Sequence, residues 1–255
     1  DGDDISHPER FERQVQFLDD HLKVGVVGTQ VKYIDADGQI NGGEWPPLFN
    51  SDVIAWNLLF GVCLCHPTVM IRRELMEKLE GYVEWAQFGE DYELWTRAAQ
   101  GSHLANLPEP LLKRRYHEKS ITVSKRTEQL HTWKKAAAKL HRALLGRKTN
   151  TQMAEFLVWM DAEGVEKSIE ETGVQDLAAV HRYVRALYEA CTRQLCSDGP
   201  SVQVRQHALV KLDTLAGRIA EQEGWARGAV HKLRARGMAP GREVIRWGLQ
   251  AVWRR

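Results

Sequence analysis

The sequence lacks any apolar run long enough to cross a membrane, and no leader segment is recognisable in it. A membrane-spanning helix needs about 20 consecutive apolar residues, and no stretch approaches that length. The four cysteines do not have the spacing of a disulfide framework, which favours a reducing compartment. The formal net charge is only +1 over 255 residues, so the composition does not indicate a polyanion binder. We therefore expect a cytoplasmic protein of ordinary globular composition.

Two short motifs start like metal sites but lack the rest of the pattern. The Cys-Leu-Cys-His run at 63–66 would place both thiols on one face of a strand, and no second ligand pair follows it. The Asp-Ala-Asp-Gly run at 35–38 starts like a calcium loop, but Ile40 stands where such a loop needs Gly, and Pro46 where it needs Glu. We interpret the first run as part of a buried strand and the second as a hairpin turn.

The first half of the chain alternates between strand and helix patterns, which predicts a mixed α/β layer. A capping-box pattern from Ser6 to Glu9 predicts a helix that continues to about His21. Its apolar residues, which we expect to be buried, are Phe11, Val15 and Leu18. The other predicted elements are a strand at 24–34, an irregular loop at 41–57, a buried strand at 61–71, helices at 73–79 and 90–100, and strands at 103–107 and 111–116.

The second half has a different character, because six of the eight prolines lie before residue 120. Apolar residues recur there at helical spacing in three stretches, around 130–144, 177–195 and 204–219. We interpret these stretches as packed helices. The sequence therefore predicts an α/β domain over residues 1–124 and an α-helical appendage over residues 125–255.

Two adjacent carboxylates, Glu90 and Asp91, stand where an aromatic-rich loop leads into a predicted helix. A carboxylate held at a helix start beside such a loop suits a general base. The alternative is that Asp91 is only an N-cap, which accepts hydrogen bonds from free backbone N–H groups. The segment alone does not decide between the two roles.

A second acidic cluster, formed by Asp1, Asp3 and Asp4, opens the sequence as a D-x-D-D run. Carboxylates grouped in this way can hold a hard divalent ion beside phosphate groups. Such an ion would neutralise the charge that develops on a diphosphate leaving group. A D-x-D run has little weight by itself, because solvated Asp pairs are common in loops.

The two acidic clusters belong to an ordered series of motifs that resembles the inverting, GT-A type of family 2 glycosyltransferases. The likeness covers residues 1–124, and its motifs fall in order at family-like spacing. They are Asp-Gly-Asp-Asp at 1–4, Pro-Glu-Arg at 8–10, Val-Val-Gly-Thr at 26–29, Cys-His-Pro-Thr-Val-Met-Ile-Arg-Arg at 65–73, Gly-Tyr at 81–82, Glu-Asp-Tyr-Glu-Leu-Trp at 90–95 with Arg97, Leu-Pro-Glu-Pro-Leu-Leu at 107–112, and Arg-Tyr-His at 115–117 with Ser120.

The resemblance implies a partial GT-A domain that acts on a nucleotide-sugar donor. By that likeness, Asp1 and Asp3 would bind Mg²⁺ or Mn²⁺ together with the donor diphosphate. Asp4 and Arg115 would contact the diphosphate, and His117 would supply a further metal ligand. The alternative for His117 is a plain strand-end histidine with a backbone partner.

The same likeness implies that Asp91 takes a proton from an acceptor hydroxyl, with Glu90 as its neighbour. The sugar would then move to a saccharide or lipid-linked acceptor with inversion, in cell-surface or extracellular polysaccharide synthesis. Tyr92 and Trp95 would wall the acceptor site, although Trp95 is also a candidate for the core. Arg97 is expected to form a salt bridge or to lie on the helix surface.

The resemblance has one large gap, because family members carry a nucleotide-binding β-α-β region before the D-x-D run and this sequence does not. We interpret the sequence as a truncated part of a complete enzyme. Such a fragment is expected to be inactive by itself and to leave a sheet edge exposed. The donor sugar, the nucleotide and the acceptor are not readable from the sequence.

The basic C-terminal stretch at 241–255 supports hypotheses of another class. It could lie as an amphipathic helix on the inner face of an anionic membrane, or it could be a closing helix packed on the appendage. We expect no nucleic acid partner, because no recognition fold accompanies these arginines. The alternatives to a transferase are a non-catalytic scaffold that retains the GT-A outline and a metal-dependent phosphohydrolase.

Overall fold

The computed structural model describes residues 2–46, 48–116, 124–196 and 199–236. Within them, five strands numbered along the chain form one mixed sheet in the order β1-β5-β2-β3, with β4 also paired to β2. The two long central strands, β2 and β5, run parallel, and the other pairs are antiparallel. The strands are β1 (Ile5–Ser6), β2 (Val24–Ile34), β3 (Ile40–Glu44), β4 (Met70–Ile71) and β5 (His103–Arg115).

Helices flank this sheet and then make up the whole second half of the described chain. Four of them begin at a side-chain cap, supplied by Asn50, Asn150, Asp176 and Ser201. The helices are α1 (Arg10–Asp20), α2 (Ser51–Asn57), α3 (Arg73–Lys78), α4 (Glu90–Ala98), α5 (Arg126–Leu145), α6 (Thr151–Glu163), α7 (Val165–Thr172), α8 (Leu177–Gln194), α9 (Val202–Glu223) and α10 (Trp225–Arg236). The predicted α/β part followed by a helical part is therefore confirmed. In the described residues, no helix is long and apolar enough to span a bilayer.

The start of α1 and the side it buries differ from the prediction. Ser6 lies in β1, and the helix begins at Arg10 without a side-chain cap, so the capping box is wrong. Phe11 and Val15 are 63% and 48% exposed. Gln14 is buried in their place, and its amide donates to the carbonyls of Val27 (3.0 Å) and Thr68 (2.8 Å). A polar side chain thus faces the sheet because it satisfies two backbone oxygens there.

The segments predicted as loop 41–57 and strand 61–71 are also different. The first contains β3 and α2, and α2 is started by the Asn50 side chain, which accepts from the backbone N–H of Val53. The second is mostly a buried loop, with a short 3₁₀ turn at 66–68 and the two-residue strand β4. The strands predicted at 103–107 and 111–116 are one strand, β5, whose register is interrupted around Pro108 and Pro110.

The edge of β5 that faces away from β2 is covered. The backbone N–H of Leu104 donates to Ser51 Oγ (3.4 Å), and that of Asn106 donates to the Phe49 carbonyl (3.1 Å). Pro108 has no N–H to offer. Beyond it, β1 pairs with β5 at residues 112–113. This strand is therefore not the exposed edge that truncation is expected to leave.

The largest of three hydrophobic clusters runs through both the α/β part and the helical part. Trp56 of α2 is fully buried, and its ring meets those of Phe60 and Tyr188, the latter in α8, at centroid distances of 5.0 and 5.8 Å. Helix α2 also packs on α9. The boundary predicted at residue 124 stays a prediction, but the two parts share buried apolar residues.

His141 of α5 connects the two parts within this shared core through two buried hydrogen bonds. Its Nε2 lies 2.9 Å from the Leu59 carbonyl oxygen, and its Nδ1 lies 3.1 Å from the Tyr183 hydroxyl. Because a carbonyl only accepts, we assign the proton to Nε2 and make Nδ1 the acceptor. Burial lowers the pKa of His141 to about 4, although the bond to Leu59 opposes the shift.

We expect the protein to lose stability between pH 6.5 and about pH 4 because of His141. In that range the unfolded chain binds a proton that the folded state does not, so the free energy of unfolding falls as the pH falls. The full shift corresponds to roughly 3 kcal/mol. Urea unfolding of the native chain and of His141→Gln at pH 7 and at acid pH measures it. The variant should lack this component, and equal pH dependence in both would contradict the assignment.

Candidate active site

A cleft with a volume of about 420 Å³ opens between one end of the sheet, the start of α4 and the first turns of α5. Its walls include the aromatic rings of Trp45, Tyr116 and Trp133. Its polar lining comes from segments far apart in the sequence, namely Tyr33, His66, Asp91, Arg114, Arg115 and Gln129. An acid, a histidine and two arginines therefore share one concave surface.

Asp91 stands in the first turn of α4 and faces the cleft. Gly89 is the N-cap residue, and the Asp91 carboxylate accepts from its neighbour, the Tyr92 N–H (2.7 Å). Asp91 is thus not the N-cap residue, although its carboxylate does accept from a free backbone N–H group of the first turn, as that alternative expected. Burial raises its pKa; the charge of His66 and the Tyr92 N–H oppose the rise, and Glu90 adds to it. A carboxylate with a raised pKa at a cleft is suited to accept a proton.

Gly89 sets the distance between Asp91 and α5. A Cβ at this position would come within 2.8 Å of Thr132 Cγ2 and 2.9 Å of Trp133 Cδ1. Only glycine allows the chain to pass so close to α5. The Thr132 hydroxyl also donates to the Gln87 carbonyl (2.9 Å), which ties the loop before Asp91 to the same helix.

Arg115 brings the N-terminal acidic run to the cleft. Its backbone N–H donates to Asp4 Oδ1 (2.9 Å), and its Nε donates to the backbone carbonyl of Asp3 (3.2 Å). Its Nη1 donates to the carbonyls of Asp35 and Ala36 (2.7 and 2.8 Å) in the β2–β3 turn. Arg115 is therefore held firmly between the acidic run and that turn.

The buried thiol of Cys65 lies within electrostatic reach of both acidic clusters. Burial raises its pKa to about 11; Arg114 opposes the rise, and Asp4 and Asp91 both add to it. Two carboxylates that act on one thiol lie in the same neighbourhood. The structure thus brings Asp3 and Asp4 to the side of the fold that carries Asp91, whereas Asp1 and His117 lie outside the described residues.

Tyr92 and Trp95 are not at the cleft surface. Both are essentially unexposed, and the Tyr92 hydroxyl donates to the Leu58 carbonyl (2.6 Å). Trp95 packs behind His66 at a centroid distance of 6.2 Å. The structure therefore places these two predicted acceptor residues in the core: Trp95 lies one turn after Asp91 on the same face of α4 but beneath His66, and the Tyr92 hydroxyl is bound to the Leu58 carbonyl. Arg97 forms the expected salt bridge, with Glu93.

Sequence reasoning gave no role to several cleft residues, among them His66, Gln129 and Trp133. His66 Nε2 lies 3.0 Å from the hydroxyl of Tyr82, which does not itself line the cleft. Gln129 and Trp133 come from α5, which the sequence predicts only as a packing helix. Their spacing of four residues was a signal that both lie on one face of a helix, but nothing in the pattern showed which element that face would meet.

The described residues include the kind of ligand that a divalent ion prefers, but too few of these ligands to bind one. Carboxylate oxygens such as those of Asp3 are the ligands that Mg²⁺ and Mn²⁺ prefer. Among the described residues, no three acidic, histidine or cysteine side chains converge on one point. The remaining ligands that the resemblance implies, Asp1 and His117, fall outside those residues.

Comparison with known proteins finds similarity to glycosyltransferases. The family model described as "Glycosyl transferase family 2" matches residues 1–80. The chain is similar to the O-antigen biosynthesis glycosyltransferase WbnJ of Escherichia coli, 35% identical over 129 residues that cover 49% of this chain and 48% of WbnJ. It is also similar to the amylovoran biosynthesis glycosyltransferase AmsE of Erwinia amylovora, 32% identical over 114 residues that cover 44% of this chain and 42% of AmsE.

A third relative extends the similarity into the helical part. The bifunctional glycosyltransferase pgtA of Dictyostelium discoideum is 22% identical over 236 residues, which cover 76% of this chain and 31% of pgtA. The chain thus spans between 31% and 48% of the length of these three relatives. The family match starts at the acidic run that Arg115 holds beside the cleft, and the α/β part of this chain is similar to glycosyl transferase family 2.

Proposed function

We propose that this chain is part of a glycosyltransferase that moves a sugar from a nucleotide-diphosphate donor to an acceptor hydroxyl with inversion. The observation that carries the proposal is the position of Asp91, a half-buried carboxylate with a raised pKa that shares a cleft with Arg115. A proton acceptor and a cation on one concave surface are what a displacement with an anionic leaving group needs.

In the proposed step, the acceptor oxygen forms a bond to the anomeric carbon while the bond from that carbon to the diphosphate oxygen breaks. The Asp91 carboxylate accepts the proton of the acceptor hydroxyl. The electron pair of the broken bond leaves with the nucleoside diphosphate, whose negative charge Arg115 and Arg114 are placed to stabilise. Attack from the side opposite to the leaving group inverts the anomeric centre.

We further propose that Mg²⁺ or Mn²⁺ is held by Asp1 and Asp3 with help from His117. Such an ion would neutralise charge on the diphosphate. Asp4 connects the proposed metal-binding residues to the cleft, because its carboxylate accepts from the Arg115 backbone N–H (2.9 Å). Asp91, the residue proposed to act on the acceptor, is not among the proposed ligands of the ion.

The acceptor we propose is a saccharide or lipid-linked saccharide in cell-surface or extracellular polysaccharide synthesis. Two relatives, WbnJ and AmsE, are named for O-antigen and amylovoran biosynthesis. Because the chain spans at most about half of these relatives, we propose that an upstream segment supplies the nucleotide-binding half. The 255 residues alone are then expected to be inactive.

The test is release of nucleoside diphosphate by the full-length protein with and without acceptor sugar. Transfer predicts release only when acceptor is present, and proton NMR of the product should show the anomeric configuration opposite to that of the donor. Release without acceptor would indicate a phosphohydrolase, and no release with any acceptor would indicate a scaffold. A product with the donor's configuration would contradict the single displacement.

We expect His66 to position Asp91 rather than to react. Its charge lowers the pKa of Asp91, and its Nε2 is held by the Tyr82 hydroxyl. In His66→Gln the pKa of Asp91 should rise, so the acid limb of the kcat/KM profile should move to higher pH. Tyr82→Phe should cause a smaller shift. A profile that keeps its acid limb in both variants would contradict this role.

Residues 241–255 are proposed to contact the inner face of the membrane, and they lie outside the described residues. Flotation of the chain with anionic liposomes, with and without this segment, tests the contact. Equal flotation of both forms would end the proposal.

A further inference from the structure

A second concave surface lies between α5 and α6, on a face of α5 that does not line the cleft. Its volume is about 400 Å³. Most of its lining is basic and comes from α5, and the rest comes mainly from α6. The surface, called the basic groove below, is formed by His131, Lys134, Lys135, Ala138, Lys139, Arg142, Thr151 and Glu155.

The positive charge of the basic groove is not balanced by nearby acids. Four Lys or Arg side chains face a single carboxylate, that of Glu155. Among the residues that the structure describes, none of these four cations forms an ion pair with a carboxylate, whereas Lys125 and Arg126, earlier along the chain, both do. The chain as a whole has a net charge of only +1, so the groove is a local concentration of charge.

Aromatic rings, not acids, hold the lysines in place. The ammonium groups of Lys135 and Lys139 lie 4.1 and 4.0 Å from the centroid of the Trp85 ring, and that of Lys134 lies 5.6 Å from the Trp159 ring. Such contacts orient a cation without cancelling its charge. Lys135 and Lys139 are one helical turn apart, where like charges destabilise a helix. A bound anion would remove that repulsion.

We infer that the basic groove is a binding site for phosphate groups, carried by a lipid headgroup or by a soluble phosphate ester. Lysines bind phosphate as point charges, and the Arg142 guanidinium can bind two phosphate oxygens at once. The recess is concave, which suits a compact anion with more than one charged oxygen. The same helix supplies Gln129 and Trp133 to the cleft, so an occupant of the groove lies about one helix diameter from it. The inference holds whether or not the cleft transfers a sugar.

Binding is measured on the complete chain with three probes: vesicles of phosphatidylcholine alone, vesicles of phosphatidylcholine and phosphatidylglycerol in equal amounts, and inorganic pyrophosphate. The groove variant is Lys134→Gln with Lys135→Gln and Lys139→Gln. The matched control, Lys23→Gln with Lys32→Gln and Lys78→Gln, removes the same charge from exposed positions outside the groove. Residues 241–255 are present in every protein compared, so their contribution is constant.

We expect the groove variant to bind about 10²-fold more weakly, since each basic residue at an anionic surface contributes about fivefold to affinity. The affinity of the control should change little. Loss on the mixed vesicles identifies a lipid headgroup as the source, and loss confined to pyrophosphate identifies a soluble ester. The inference is overturned if no probe binds, or if the two triple variants weaken binding equally. Should the groove variant unfold, Arg142→Gln decides the matter, since the cation–π contacts with Trp85 and Trp159 come from the lysines. Arg142→Gln should weaken binding about fivefold.

Discussion

Replacing Asp91 by Asn in the full-length protein should lower the rate of sugar transfer by at least about 10²-fold. Asn keeps the size of the side chain and an oxygen that can accept from the Tyr92 N–H (2.7 Å in the native chain). It cannot take the proton of an acceptor hydroxyl. The expected change is therefore a fall in kcat with KM for the donor nearly unchanged, measured by steady-state kinetics.

The same substitution should not destabilise the fold at neutral pH. The pKa of Asp91 is raised from its ordinary value of 3.8 in the folded state, so its contribution to stability is full below that pH and is lost as the pH rises through the raised pKa. An uncharged Asn avoids this loss. The Tm of Asp91→Asn should equal or exceed that of the native protein at pH 7, and the difference should shrink as the pH approaches 3.8.

Glu90→Gln is the matched control, because it removes the adjacent negative charge and leaves Asp91 intact. Since Glu90 raises the pKa of Asp91, the acid limb of the activity profile should move to lower pH in this variant. Above neutral pH its transfer rate should stay within about tenfold of the native rate, which is a smaller loss than the loss of a general base would cause. Undiminished transfer by Asp91→Asn, or an equal loss in both variants, would remove Asp91 from the role of base.

Local patterns were sufficient to predict β2, its hairpin and α4. The run at 24–34 is rich in valine, and the Asp35 carboxylate accepts from the N–H groups of Asp37 and Gln39 (3.0 and 2.9 Å) to form the turn. Such a turn is encoded within five residues. The acid pair is equally local, which is why the sequence predicts both carboxylates at the start of α4.

The buried loop at 61–71 shows where such patterns fail. Its backbone oxygens are satisfied by side chains that come from other segments: the indole of Trp45 and the amide of Asn106 both donate to the Cys63 carbonyl (3.1 Å each). An apolar run buried on all sides has no period that separates a strand from a loop. His66, in the middle of this run, reaches the cleft because the loop lies beside α4, a placement that no local pattern encodes.

The error at α1 has a different cause. Apolar residues at helical spacing predict the buried face of α1, yet Phe11 and Val15 are exposed while Gln14 is buried. Two backbone carbonyls, those of Val27 and Thr68, need a donor at that point. Sequence alone does not show where unsatisfied carbonyls will lie. The prediction therefore rests on hydrophobicity, whereas the need for a hydrogen-bond donor decides which side of α1 is buried.

Arg97→Ala should destabilise the protein by about 3 to 5 kcal/mol, the usual result when one member of a buried ion pair is removed. The Glu93 side chain is only 3% exposed, and its carboxylate accepts from Arg97 Nε and Nη2 at 2.7 to 2.9 Å. Arg97 also donates to the carbonyls of Leu79 and Gly81. The substitution therefore leaves a buried charge without its cation and frees the turn that precedes the Tyr82 loop. Chemical denaturation measures the loss.

A double-mutant cycle with Glu93→Gln separates these two causes. If the unpaired carboxylate dominates, Glu93→Gln with Arg97→Ala should be more stable than Arg97→Ala alone, because no buried charge remains. If the loss of the turn dominates, the double variant should be no more stable than Arg97→Ala. The turn is strained in either case, since Glu80 has a φ of 57°, a conformation that non-glycine residues rarely adopt. This turn leads into the loop whose Tyr82 hydroxyl contacts His66, beside Asp91. Arg97→Ala should therefore also lower transfer activity at temperatures where the protein is still folded. An unchanged kcat at those temperatures would show that the ion pair supports only the fold.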